Sequence, residues 1–493
     1  MTSKDKKYFY ISTTIPYVNA DPHIGFALEL VQSDVIARYQ RLIGREVFFS
    51  TGTDEYGQKI WEASQKEGKN VQDYVDHYAQ KFIELKEILN LSYDNFIRTT
   101  SKEHNLAAQE FWRLCERKGD IYKKIYRGLY CIGCERFITE KDLLDGYCSL
   151  HPGKKPEMVE EENYFFRLTN YKKQLLEYLS DEKVVFPEWR RKEAIDFVNE
   201  GMEDFSISRS AERFSWGIPI PGDDTQVMYV WFGAFINYLS TLGWPGRTSP
   251  QPSPYKGEGG SNFEKFWQRG QTVQMAGKDM VKFQSVMWQG MLMSAGMPTT
   301  GTIVYHGFIT GEGGVKISKS VGNGIHPNDI VSEYGTDALR YFLLREISTF
   351  EDSPFTIERF KEAYNANLAN GLGNLVSRIL TLSEKYLDKC PEIGEGSDFR
   401  EYFSFFEKFD LKQAADYVWN EIGELDKFIQ ETEPFKVVKV DAQKGKEIIA
   451  NMVLRLYQIA QMLDPIMPET NILLKKLIRE NKKPEAPLFP RKD

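Results

Sequence analysis

Long apolar runs are missing from this chain. The most hydrophobic window, Tyr229 to Leu239, is too short to cross a bilayer, and the N-terminus MTSKDKKYFY lacks the apolar core of a signal peptide. Neither export nor membrane insertion is expected. Cysteine is scarce: there are five, an odd number, and three of them fall between Cys131 and Cys148. That excludes a disulfide-stapled secreted scaffold and points to a reduced, metal-binding cytoplasmic protein. There is no excess of positive charge either. The net charge is −8, so a nucleic-acid partner would have to be met by local patches rather than by the overall field. No internal repeat is visible. What is present is length: 493 residues exceed one hydrophobic core and suggest about two to four domains.

The first part, residues 1–117, alternates strand-like runs (Tyr8 to Ile15, Val47 to Thr51) with amphipathic helical patterns (Val71 to Leu89, Leu106 to Lys118). This alternation reads as the first half of a doubly wound parallel sheet. Residues 118–217 change texture: cysteines, many charges and Pro187-Glu188-Trp189 mark an insertion between two halves of the sheet. The second half is expected over 218–320, with Val227 to Trp231 and Thr302 to Phe308 as strands. A linking segment (321–357) leads to an all-α region, 358–493, where Leu368, Leu372, Leu375, Val376, Ile379 and Leu382 fit one helix face. The stretch from Thr248 through Ser261, rich in Pro, Gly and Ser, has no apolar period and is expected to be disordered.

Two loops make chemical sense together. Pro16 to Gly25 follows an apolar strand and opens into a helical pattern (Leu28, Leu30, Val31, Val35, Ile36). It places an imidazole, His23, beside a bare glycine, Gly25, where the backbone can approach a ligand closely. Lys316-Ile317-Ser318-Lys319-Ser320, flanked by glycines, carries two ammonium groups that can close over a polyanion. Farther along, Cys131-x2-Cys134-x13-Cys148-x2-His151 has the spacing of two knuckles closing a tetrahedral S3N zinc site. With four protein ligands and no open position, such a site is structural.

At these residues the chain resembles a class I aminoacyl-tRNA synthetase: His23-Ile24-Gly25-Phe26 stands where that family has His-Ile-Gly-His, and Lys316 to Ser320 where it has Lys-Met-Ser-Lys-Ser. The zinc knuckle with Leu129-Tyr130 and Asn163 to Phe166, together with Ile15-Pro16-Tyr17, Gly52 to Glu55, Tyr229 to Phe232, Gly277-Lys278-Asp279 and Asp337 to Glu346, resembles methionyl-tRNA synthetases in particular, from about residue 8 to about 465. The resemblance implies an α/β fold with a Rossmann-type, doubly wound catalytic domain split by the zinc insertion, followed by an all-α anticodon-binding helix bundle. It implies activation of methionine with Mg-ATP and transfer to the methionine tRNA, with one zinc per chain.

Carried over position by position, it assigns Ile15, Tyr17, Trp231, Ala234, Tyr238, Phe283 and Gln284 to the methionine side chain and Asp54 to the ammonium. A soft thioether packs well on aromatic faces. Gly25, Glu29, Gly277, Asp279 and Ile309 would bind the adenosine. His23, Lys316 and Lys319 would act on the phosphates. Asn374, Arg378, Pro434 and Phe435 would read the anticodon, on a polar stripe that begins at Asn367 and Asn370. Base edges and a stacking face suit those residue types.

Four positions depart from the family pattern. Phe26, Tyr56 and Gln284 each replace a usual histidine, and Gly233 stands where aspartate is common. Phe26 cannot donate to a phosphate oxygen, a loss on the order of 3 kcal/mol where such a donor acts in the transition state. Two other readings follow from the residues: a sister synthetase for another apolar amino acid, and a catalytically weak paralogue that binds tRNA or senses an amino acid. The pocket aromatics and the zinc knuckle oppose the first; Asp54, His23, Lys316 and Lys319 oppose the second. Because the chain ends at Asp493, soon after the helical pattern, it has no room for the further tRNA-binding module through which some family members dimerise, and a monomer is expected.

Overall fold

The computed structural model describes residues 7–132, 136–138, 140–149, 155–212, 215–246, 261–311, 313, 324–394 and 399–493. Cys134, His151, Lys316, Lys319 and residues 248–260 of the low-complexity stretch lie outside these residues. The chain divides into two compact units. One holds Met1–Pro22, Gly44–Lys86 and Tyr93–Tyr305; the other holds His23–Ile43, Glu87–Ser92 and His306–Asp493.

The first unit is built on a six-stranded sheet in the order Asn95–Arg98, Glu46–Thr53, Tyr8–Ser12, Gln271–Gly277, Thr302–His306, Val185–Phe186. The Tyr8–Ser12 strand is parallel to both neighbours, in register Phe9 to Val47 on one side and Phe9 to Gln271 on the other. All five of its residues are buried, as strands covered on both faces require. Successive strands run outward from it in opposite directions, which makes its C-terminal end the switch point at which such sheets bind ligands. The Lys102–Arg117 helix begins one turn before the expected Leu106, because Ser101 accepts the His104 amide at 3.3 Å and caps it.

Three features differ from the sequence expectation. The central strand Gln271–Gly277 was not anticipated. The segment read as an insertion returns to the parallel sheet at Val185–Phe186, paired with Ile303 and Val304, well before residue 217. The strand expected over Val227 to Trp231 ends at Met228, and Val230–Phe235 is a helix. There the Met228 and Tyr229 amides make the last sheet bonds, to Ile218 and Ile207 carbonyls, and Gly233 N–H already returns to the Tyr229 carbonyl at 3.2 Å. A short apolar run cannot by its period tell strand from helix.

Between the sheet's halves, Ile121–Cys131 and Glu157–Phe166 form a long antiparallel ladder, Ile121 opposite Phe166 through Tyr130 opposite Glu157. It is flanked by Phe205–Ser206 and Arg136–Ile138. Cys131 and Cys148 are buried in one small cluster with Ile138, against Leu129 and Leu143.

The second unit joins the Ile24–Leu42 helix to a helical region: Ile357–Ala363, a wide-turned π segment Tyr364–Gly373, Asn374–Tyr386, Arg400–Glu407, Leu411–Thr432, Pro434–Val440, Ala442–Met462 and Pro468–Glu480. Leu368, Leu372, Leu375, Val376 and Ile379 are buried as expected, and Leu382 is half-buried. Asp410 and Asp441 cap the two longest of these helices by accepting the Gln413 and Lys444 amides. Glu433, with φ 40°, breaks the chain between Leu411–Thr432 and Pro434–Val440. Among the described residues no helix is long and apolar enough to cross a membrane.

Candidate active site

In the first unit the chain leaving Tyr8–Ser12 straddles the switch point. Thr13 N–H donates to the Ser50 carbonyl at 3.3 Å on one side, and Thr14 N–H to the Met275 carbonyl at 3.2 Å on the other. It then bridges to the end of the neighbouring strand: Asp54 N–H donates to the Pro16 carbonyl at 2.9 Å and Val18 N–H to the Asp54 carbonyl at 3.3 Å, so Tyr17 and Asp54 form an isolated parallel bridge. Asp54 is buried, 6% exposed, and Thr99 Oγ1 lies 3.5 Å from its Oδ1. A carboxylate so placed suits an ammonium group.

The loop after Asp54 is braced by Arg98, Trp216 and Asn105, residues distant from it in the chain. Glu55, fully buried, accepts both Arg98 Nε at 2.6 Å and Arg98 Nη2 at 2.9 Å, the two-pronged geometry that fixes a guanidinium. Trp216 Nε1 donates to the Glu55 carbonyl at 2.7 Å. Tyr56, at a position where histidine is usual, packs its ring 5.3 Å from that of Trp216 and donates to Asn105 Oδ1 at 3.2 Å. Burial raises its pKa, so at neutral pH it is an aromatic wall and not a proton carrier. Beside this loop, Gly57, Gln58, Tyr130, Arg209, Trp216 and Tyr229 line a small, partly open pocket. The Arg209 guanidinium lies 4.5 Å from the Tyr229 ring and 5.3 Å from that of Tyr130.

Two of the aromatic residues assigned to the side-chain pocket are in contact. Trp231 and Phe283 stack with centroids 4.1 Å apart at 27°, although they are 52 positions apart in sequence. Gln284, on the Phe283–Met287 segment, is fully buried and its Nε2 donates to Tyr238 Oη at 2.5 Å. Tyr10 Oη in turn donates to the Tyr238 carbonyl at 3.1 Å. Gln284 therefore carries out with a carboxamide the hydrogen bonding that an imidazole offers, without a group that titrates near neutrality. A Cβ at Gly233 would sit 2.9 Å from Ile218 Cδ1, the end of a side chain that would have to shift. Ile15, Tyr17, Trp231, Ala234 and Phe283 are half-buried, Tyr238 and Gly277 are buried, and Asp279 is exposed.

In the second unit His23 caps the Ile24–Leu42 helix, its Nδ1 accepting the Gly25 amide at 3.0 Å. Position 25 has no room for a side chain, since a Cβ would fall 2.8 Å from His23 Cε1 and 2.9 Å from Nδ1. Phe26 lays its ring 4.5 Å from the His23 ring. Ile24 N–H donates to the Ile325 carbonyl at 2.9 Å, which pins Ile325, five positions after Ser320, beside the start of this helix. Glu29, one turn farther along the helix, meets His306 Nε2 at 2.9 Å. Ile309 is buried in a two-residue strand pairing with Ser353. His306 escaped the sequence reading because a lone histidine at a strand end has no spacing signature.

In the helical region Arg378 Nη1 pairs with Asp426, which also accepts from Gln430. Asn370 and Asn374 are exposed, and Asn367 turns back to the Ala363 carbonyl at 3.2 Å. Pro434 is buried and Phe435 exposed.

The family described as "tRNA synthetases class I (M)" matches residues 9–150 and 139–380. A methionine–tRNA ligase of Thermotoga maritima is 38% identical over 481 residues, 94% of this chain and 74% of that one. One of Rhizobium meliloti is 37% identical over 488 residues, 95% of this chain and 91% of its own. The solved structure of Mycobacterium tuberculosis methionyl-tRNA synthetase with methionyl-adenylate superposes with a TM-score of 0.88 at 33% identity, covering 98% of this chain and all of that one. The fold and these matches define a class I aminoacyl-tRNA synthetase. Within that class, the chain belongs to the methionine–tRNA ligases.

Proposed function

We propose that this ligase forms methionyl-adenylate by positioning and charge neutralisation, and that it does so with the residues carried over above. Asp54 receives the methionine ammonium, and Trp231, Phe283, Tyr238 and Gln284 receive the thioether. Gly25, Glu29, Gly277, Asp279 and Ile309 take the adenosine. His23 faces the phosphates, and Lys316 and Lys319 neutralise the triphosphate with its Mg²⁺ as the methionine carboxylate attacks the α-phosphorus and pyrophosphate leaves. No covalent enzyme intermediate is required. Phe26 contributes no hydrogen bond to this chemistry; its ring shields one side of His23. The methionine tRNA is then bound through Asn374, Arg378, Pro434 and Phe435 and charged. The protein works in the cytoplasm as a monomer.

The observation that carries this reading is the paired constraint at His23 and Gly25. The imidazole spends Nδ1 on the helix amide and lies over Gly25, where the missing Cβ gives the ring its room, so a side chain at 25 would displace His23. Gly25→Ala tests it. Pyrophosphate exchange should fall on the order of a hundredfold, the scale of a small misplacement at the reacting groups, while the helical unit keeps its melting temperature. Unchanged exchange would overturn the assignment.

Zinc belongs to the same reading. Cys131 and Cys148 share one buried cluster, and thiolates of that kind, with Cys134 and His151, make a soft S3N donor set that suits Zn²⁺. The ion would fasten the tip of the inserted ladder and supply no catalytic chemistry.

A further inference from the structure

We propose that His306 is a positioning residue for ATP: it holds the Glu29 carboxylate in the orientation that receives the adenosine. This rests on the reading that Glu29 contacts adenosine, and adds to it a residue that sequence spacing could not single out.

Glu29 is only 8% exposed and His306 only 4%. A carboxylate that far from water needs a donor, and His306 Nε2 lies 2.9 Å from Glu29 Oε2. The other ring nitrogen, Nδ1, is 2.7 Å from the Gly307 carbonyl. Each nitrogen thus faces an oxygen acceptor. A hydrogen bond that ends on a carboxylate is charge-assisted, the stronger kind.

The carbonyl that orients the ring is itself fixed. A Cβ on Gly307 would sit 2.1 Å from the Glu351 carbonyl oxygen and 2.8 Å from the Asp352 nitrogen, so only glycine lets the two backbones press together there. Phe308 N–H donates to Asp352 Oδ1 at 2.9 Å, and Ser353 N–H donates to the Phe308 carbonyl at 3.0 Å. The backbone therefore sets the ring, and the ring sets the carboxylate. A carboxylate has about four lone-pair sites, so a bond to His306 through Oε2 is compatible with accepting a hydroxyl or amino hydrogen of adenosine as well. Three residues after His306 comes Ile309, the other member of this group assigned to adenosine. One imidazole thereby links two elements on the nucleotide side, the helix through Glu29 and the strand through Ile309.

The test uses the full chain and methionine-dependent ATP–pyrophosphate exchange, with KM measured separately for ATP and for methionine. His306→Leu should raise the KM for ATP about tenfold, the scale of one lost charge-assisted hydrogen bond, and leave the KM for methionine nearly unchanged. His306→Gln, which keeps one N–H donor, should fall between; it carries the test if the leucine variant does not fold. Glu29→Gln should resemble His306→Leu, and the double variant should be no worse than either alone, because the two act as one unit. A lower melting temperature with both KM values unchanged would overturn the proposal, as would fully additive effects. Either result, obtained beside normal exchange by the unmodified protein, leaves the ligase reading standing. No exchange by the unmodified protein would overturn both.

Discussion

Arg340 and Asp34 form an ion pair of 2.8 Å with neither side chain exposed to solvent. Arg340 also donates to the carbonyls of Leu89, Ile466 and Pro465 at 3.1, 3.0 and 2.9 Å. Asp34 accepts the Ser92 amide and hydroxyl, each at 2.6 Å, and Arg38 Nε at 2.7 Å. Burial alone would raise the Asp34 pKa, but Arg340, Arg38 and Ser92 together hold its carboxyl below the usual range. The pair sits ten positions along the helix that His23 caps, and it explains why residues 23–43 fall in one compact unit with 306–493.

Because the pair is buried, removing one partner leaves an uncompensated charge. Arg340→Met should lower stability by about 3–5 kcal/mol, read as a fall in the urea midpoint of the cooperative step that contains this unit. Asp34→Asn together with Arg340→Met should recover part of that loss. A single variant within about 0.5 kcal/mol of the parent would contradict the assignment of this pair as a structural anchor.

His104 makes a pH prediction. It is fully buried, 2.9 Å from Ser240 Oγ, and burial lowers its pKa from 6.5 to about 4. The unfolded chain takes up a proton below pH 6.5, whereas the folded chain resists until about pH 4. The stability owed to keeping this ring neutral is therefore complete above 6.5 and is lost as the pH falls toward 4, about 3 kcal/mol in all. Unfolding midpoints taken between pH 7 and 4 should slope less steeply in His104→Gln than in the parent. Parallel slopes would show that the ring titrates normally.

Metal analysis should find about one zinc per chain, since one tetrahedral site uses four protein ligands. Cys134→Ser should release it and loosen the inserted ladder while the helical region stays folded. A metal-free chain with undiminished stability would remove zinc from the account.

Arg378 separates the two chemical steps, because adenylate formation needs no tRNA. Arg378→Ala should leave pyrophosphate exchange near the parent value and cut aminoacylation on the order of tenfold or more, as expected for one lost base contact of about 1–3 kcal/mol. Phe435→Ala should act the same way through lost stacking. Normal charging by Arg378→Ala would mean that the guanidinium serves only its ion pair with Asp426.

Much of this architecture could be read from the chain. Strand, turn and helix around His23 follow from an apolar run, a glycine and a helical period, and the bundle core follows from Leu368 to Ile379. The central Gln271–Gly277 strand stayed hidden because its interior is partly polar. Thr272 and Gln274 are both fully buried; Thr272 Oγ1 accepts the Gly301 amide at 2.7 Å and Gln274 Oε1 the Thr300 hydroxyl at 3.2 Å. Partners supplied by residues about 30 positions away cannot be seen in a local hydropathy pattern. The same holds for Glu55 with Arg98 and for Glu29 with His306, whose pairing depends on the fold bringing distant strands and helices together. A single stripe from Asn367 to Arg378 requires an ideal helix, but the wide π turns over Tyr364–Gly373 reset the spacing that the ideal period assumes.

Amino-acid-dependent ATP–pyrophosphate exchange, run on the purified chain with a panel of amino acids, tests the central claim most directly. Exchange should depend on methionine and fall sharply for leucine, isoleucine and valine. The stacked pair Trp231–Phe283 and the Gln284–Tyr238 hydrogen bond offer a long thioether both apolar contact and a polar neighbour, and branched side chains fit that combination poorly. Exchange driven by another amino acid, or none with methionine while the chain still binds its tRNA, would contradict it.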